Sequence, residues 1–95
     1  MRGRKVRQMQ AVFPRISGGL EKSVREQGGI ISPFGSSWEI TFPEGTQENV
    51  TRRLKNPLHG NGICTGRLLP NGDLVCYDEL SDRYQCWQAW QLEEV

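Results

Sequence analysis

The sequence predicts a single small α+β domain built on an antiparallel sheet, and three observations carry that expectation. Its 95 residues leave room for one hydrophobic core, so residues 1–95 are read as one domain. Two helix-like segments are interleaved with segments whose apolar and polar residues alternate, the pattern of helices packed on a sheet. Residues 62–90 then read as a three-stranded meander, whose first reversal places Asn71 and Gly72 between two apolar runs. An Asn-Gly pair in that setting is the strongest short hairpin signal, because a type I′ turn needs φ > 0 at both central positions.

The elements follow in order. Val6 to Phe13 alternates, with Met9, Ala11 and Phe13 on one face, and Pro14 ends that strand because proline cannot donate to a ladder. Ser17 to Gly28 reads as a short helix: Ser17 is a suitable N-cap, Leu20 and Val24 lie one turn apart, and Gly28 supplies the left-handed stop. Glu21 and Arg25 have the spacing of a helix-surface ion pair. Gly29 to Ile31 opens a short strand cut by Pro33, and Ser37 to Phe42 alternates with Trp38, Ile40 and Phe42 on one side. Thr46 to Lys55 is expected to form a second helix, with Glu48 early, Arg52, Arg53 and Lys55 late, and Val50 and Leu54 as its buried stripe. Pro57, Gly60 and Gly62 stop it. The first six elements match the ferredoxin-like βαββαβ pattern, followed by the meander. The alternative is a small SH3-like barrel with helical insertions, closed by Trp90 to Val95.

Composition narrows the function classes. At 36% hydrophobic and 24% charged residues the chain has the balance of a globular protein. It has no apolar run near the ~20 residues of a membrane span. The basic start lacks the apolar stretch of a secretory signal, so a cytoplasmic setting is expected. Three cysteines are an odd number, unlike the even framework of a small secreted domain. With Asn71 and Gly72 at the tip, Arg67 faces Cys76 and Cys64 faces Glu79, which puts Cys64 and Cys76 on opposite faces. Pairing Glu79 with Tyr84 sets Tyr77 opposite Cys86. Cys64 and Cys86 then share a face at roughly twice the ~4.8 Å strand spacing, too far for the ~7 Å between bridged Cα atoms. Three reduced thiols are expected.

Catalytic and metal chemistry find little footing. Zinc favours two ligands in a tight knuckle, and Cys64, Cys76, Cys86 and His59 contain none, so no metal and no cofactor are expected. His59 lies five residues before Cys64, but nothing marks either as part of a nucleophilic pair. The glycine-rich run from His59 to Gly66 fails the dinucleotide fingerprint, since Thr65 occupies the third glycine position and a strand follows. Asn49 to Thr51 matches a glycosylation sequon that has no meaning inside a cell. The chain is therefore expected to be non-enzymatic.

Two binding surfaces remain. Residues 1–60 carry ten Lys/Arg against five Asp/Glu, and residues 61–95 two against six, so a +5 half precedes a −4 half. Such asymmetry suits a charged partner or self-association into a homo-oligomer. The basic arm of residues 1–7 (Arg2, Arg4, Lys5, Arg7), together with Arg52, Arg53 and Lys55, would contact a nucleic-acid backbone. Trp38 and Phe42 would offer stacking there, although the strand lacks the RNA-recognition signature. The meander offers the other surface. One face would hold Cys64, Leu68, Val75, Tyr77, Tyr84 and Cys86, the other Arg67, Leu69, Leu74, Cys76, Trp87 and Ala89. Both are apolar, so the sheet is either covered on both sides or exposes an interface. For a protein partner the anchors would be Arg67, Tyr77, Tyr84 and Trp87, the residue types that dominate interfaces. The expectation is thus a non-enzymatic binding or regulatory protein for nucleic acid, with a protein-binding adaptor or inhibitor as the alternative.

Overall fold

The computed structural model describes residues 9–57 and 62–95. The described residues form two antiparallel sheets and one α-helix. The first sheet contains β1 (Gln10–Phe13), β2 (Ile30–Phe34) and β3 (Ser37–Thr41) in the order β1-β3-β2. Helix α1 (Gly18–Glu26) connects β1 to β2. The second sheet contains β4 (Gln47–Leu54), β5 (Ile63–Leu68), β6 (Leu74–Asp78), β7 (Arg83–Trp87) and β8 (Leu92–Glu94) in the order β7-β6-β5-β4-β8. A single 3-10 turn, Ala89–Gln91, precedes β8. Among the described residues no helix is long and apolar enough to cross a membrane.

The helix forms where its signals place it. The Ser17 hydroxyl accepts the Leu20 N–H at 3.1 Å, and Gly28 takes φ 97° just past the last turn. Leu20 and Val24 are fully buried, and the Arg25 guanidinium meets Glu21 at 3.1 Å on the outer surface. In the first sheet Phe13, Ile31 and Ile40 turn inward, while Trp38 sits at the margin and stays 38% exposed. β2 runs on through Pro33 to Phe34 instead of stopping, because it is an edge strand and Pro33 has no ladder donor to lose there.

The second helix and the ferredoxin-like order are overturned: residues 47–54 form strand β4, paired with β5 on one side and β8 on the other. Val50 and Leu54 misled because a spacing of four keeps two residues on one face in both helix and strand. Arg52, between them, follows the strand period, and Thr46, Val50 and Thr51 are β-branched.

The β5–β6 hairpin is shifted by one residue from the expected register. Arg67 pairs with Val75 and Leu68 with Leu74, across a loop of Pro70, Asn71 and Gly72. The Gly72 N–H donates to the Leu69 carbonyl at 2.9 Å, and only Gly72 of that loop has positive φ, at 97°. Pro70 explains the change: its locked φ suits the second position of a type I turn, and Gly72 then takes the left-handed position of a three-residue loop. The slip turns every β5 side chain over relative to β6. Cys64 and Leu68 therefore join Leu74 and Cys76, and Arg67 and Leu69 join Val75. All three cysteines are unbridged.

Each face of the second sheet carries a buried core over part of its area, and Tyr77 stays 45% exposed beside one of them. One core combines Leu20 and Val24 of α1 with Phe13, Ile31, Ile40 and Phe42, and with Leu69 and Val75 of the second sheet. The other, on the opposite face, joins Leu74, Cys76 and Leu92 to Val50, Leu54, Leu68 and Trp87. β8 thus contributes Leu92 to this interior, whereas Trp90 and Val95 remain exposed at 68% and 64%. Burying each such aliphatic side chain contributes ~1.5–3 kcal/mol. The connector before α1 stitches the two sheets together: Tyr84 donates its N–H to Arg15 and accepts from the Ser17 N–H, each at 2.9 Å.

Candidate functional site

β4 and β5 are out of step at one place. Gln47 pairs with Leu68 and Val50 with Gly66, so Glu48 and Asn49 together oppose the single residue Arg67. Asn49 sits at φ 57°, in the left-handed region that asparagine tolerates better than most residues. This is a β-bulge, a device that bends a strand and re-aims a side chain. Gly66 adds to the bend: a Cβ there would lie 1.9 Å from the Val75 carbonyl oxygen, so only glycine lets β5 approach β6 this closely.

Arg67, opposite the bulge, leans over the first core. Its guanidinium carbon is 5.4 Å from the centre of the Phe13 ring and 5.3 Å from that of Phe42. Phe13 in turn stacks on Tyr84 with centroids 4.1 Å apart, and Tyr84 meets Tyr77 edge-on at 5.3 Å. The guanidinium is held by aromatic faces and not by an acid. Arg67 Nε is buried without a hydrogen-bond partner, and Arg67 forms no ion pair among the described residues. A buried donor left unpaired costs ~1–3 kcal/mol.

Glu48, Asn49, Gly66, Arg67, Tyr77 and Tyr84 line a cleft of about 310 Å3. The Tyr77 hydroxyl donates to Asp82, and this bond, with partial desolvation, keeps the phenol above its ordinary pKa and neutral. Asp82 also holds Arg15 at 3.5 Å. The Tyr84 hydroxyl makes no hydrogen bond among the described residues. The cleft therefore presents one cation, the Glu48 carboxylate, one unengaged hydroxyl and an aromatic wall.

A second cleft, also about 310 Å3, lies between α1 and the β5–β6 turn and includes Ser23, Asp73, Cys86 and Trp87. Its polar groups are already engaged. The Asp73 carboxylate accepts from the Ser23 hydroxyl at 2.7 Å, the Ala89 N–H at 2.9 Å and Asn71 Nδ2 at 3.2 Å. Burial pushes the Cys86 thiol up to about 11, so it is protonated and unreactive at neutral pH. Burial, reinforced by neighbouring Cys64, also raises the Cys76 thiol far above its usual range. No group of three or more His, Cys, Asp or Glu side chains suited to a metal ion occurs among the described residues. His59 lies outside them.

Of the residues expected to bind a protein, Arg67, Tyr77 and Tyr84 converge on the first cleft. Trp87 does not: it is half-buried on the opposite face, against Leu74 and Cys76. The expected nucleic-acid set is dispersed. Arg2, Arg4, Lys5 and Arg7 lie outside the described residues. Arg52 and Arg53 point to opposite faces of β4, not along one helix end. Arg52 lies opposite Glu94 and Arg53 opposite Glu93 on β8, so the basic and acidic halves meet within the sheet. Lys55 is exposed beyond β4. Sequence reasoning missed Glu48 and Asn49. An asparagine amid strand-forming residues was the available sign of a bulge.

No family model, no curated protein and no solved structure matches this chain.

Proposed function

We propose that this chain is a non-enzymatic binding module that engages a protein partner through the Arg67, Tyr77 and Tyr84 face of its C-terminal sheet. The observation that carries this is Arg67, held by two phenylalanine rings with Nε buried and unpaired, at the edge of an aromatic cleft. Tyrosine and arginine are among the residues that most often anchor protein interfaces, and Arg67 has no ion pair among the described residues that would compete with a partner. In this proposal β4 to β8 act as a small SH3-like barrel. That view draws support from the return of β8 to β4 and from the apolar interior they share. Three unbridged cysteines suit a reducing, cytoplasmic setting.

Nucleic-acid binding draws less support, because the cations of β4 face acids on β8 and lie on two faces. The test compares three variants for recovery of a specific partner from the source cells. Tyr77→Ala abolishes recovery while the chain still unfolds cooperatively well above the assay temperature, and Arg53→Ala leaves recovery intact. Loss of binding with Arg53→Ala and Lys55→Ala but not Tyr77→Ala, with a steep fall in salt, would instead indicate nucleic acid.

A further inference from the structure

We infer that the cleft beside the Glu48–Asn49 bulge is a carboxylate receptor, in which Arg67 binds a carboxylate carried by the protein partner. This deepens the protein-binding proposal and rests on it. The guanidinium is a planar fork of five donors with no acceptor. Two aromatic rings, 72° apart, lie 5.4 and 5.3 Å from its central carbon and take up none of its hydrogen-bond donors, which leaves the terminal N–H groups to a ligand. A carboxylate matches that fork with two parallel bonds, the geometry in which arginine most exceeds lysine.

Further features of the cleft agree with this ligand. Tyr84, whose hydroxyl is unengaged among the described residues, adds a second donor to the same cleft. Arg67 is the single cation among the lining residues, which offers a pairing partner to one negative charge but not to the two of a phosphate. Glu48 on the bulge adds a like charge nearby, which further disfavours a dianion. The volume of about 310 Å3 takes one side chain or chain terminus with its flanking backbone. The carboxylate belongs to an Asp or Glu side chain or to the partner's C-terminus.

The test is an NMR titration of the full chain labelled with 15N, reading the Arg67 Nε–Hε resonance. The probes are acetate, inorganic phosphate, and three short apolar peptides: one with a free C-terminal carboxylate, its C-terminal amide, and an amide carrying one internal Glu. Acetate and at least one carboxylate peptide shift the Arg67 resonance, and the uncharged amide does not. A shift with the free terminus alone identifies the chain end, and a shift with the internal Glu identifies a side chain. Arg67→Lys weakens the peptide by roughly tenfold to a hundredfold, the range of one charged hydrogen bond. Glu48→Gln, at an exposed position that leaves folding intact, tightens it several-fold. An Arg67 resonance unmoved by every carboxylate overturns the inference, as does phosphate binding more tightly than the carboxylates. If Tyr77→Ala abolishes partner recovery while carboxylates leave Arg67 unmoved, protein binding stands and the carboxylate assignment falls.

Discussion

The Ser23 hydroxyl on α1 donates to the Asp73 carboxylate at the β5–β6 turn over 2.7 Å, a buried bond joining residues 50 positions apart. Asp73 also accepts the Ala89 N–H, so one carboxylate fastens the helix, the hairpin and the 3-10 turn before β8. Asp73→Ala strands these donors and should cost about 2–4 kcal/mol in urea unfolding. Ser23→Ala removes one of several donors and should cost roughly 1 kcal/mol. The double variant should fall short of their sum by about 1 kcal/mol, the coupling of groups in direct contact.

Gly66 is a packing position. A Cβ there would sit 1.9 Å from the Val75 carbonyl oxygen, which is backbone and moves only with β6. Gly66→Ala should lower stability by about 1–3 kcal/mol or more, through overpacking, and should broaden the amide resonances of β5 and β6.

The cysteines should separate by reactivity. Cys76 is buried, and burial raises both its thiol and that of Cys86, the latter to about 11. At neutral pH in the folded protein both should resist iodoacetamide, and both should react once urea unfolds the chain. Mass spectrometry of the alkylated sites checks this. Rapid labelling of Cys76 in the native state would contradict the interior formed by β4 to β8.

Asp78 should lend the protein a pH dependence of known sign. Partial desolvation opposes its charge, but hydrogen bonds from the Ser81 hydroxyl, the Leu80 N–H and Gln85 outweigh it and hold the carboxyl below its ordinary pKa. A depressed folded value adds stability above the unfolded Asp value of about 3.9 and loses it as pH falls through the folded value. The gap in stability between the native chain and Asp78→Ala should therefore be constant near neutrality and close in acid.

Much of the fold was legible in local chemistry. Ser17, Leu20, Val24 and Gly28 specify α1 by themselves, because caps and a helix stripe depend on neighbours in sequence. The meander was legible for the same reason, as was its apolar character on both faces. β4 was not, since Val50 and Leu54 satisfy two periods at once and only pairing with β5 and β8 decides between them. The hairpin register turned on Pro70, whose fixed φ outweighs the Asn-Gly preference, and one residue of slip moved Arg67 to the face that packs on Phe13 and Phe42. The site was half legible: Arg67, Tyr77 and Tyr84 were recognisable as anchor types. Their convergence depends on the bulge at Asn49 and on Phe13, residues far from them in sequence.

The most direct test of the binding cleft is site-specific photo-crosslinking in the source cells. A crosslinking residue is placed at position 65, an exposed cleft position that is not one of the anchors, at 53 on β4 and at 34 on the outer face of the first sheet. Crosslinks to one discrete protein from position 65, lost on Arg67→Lys and absent from 34 and 53, are the expected result. Crosslinks that arise equally from all three positions, or chiefly from 53 to nucleic acid, would contradict it.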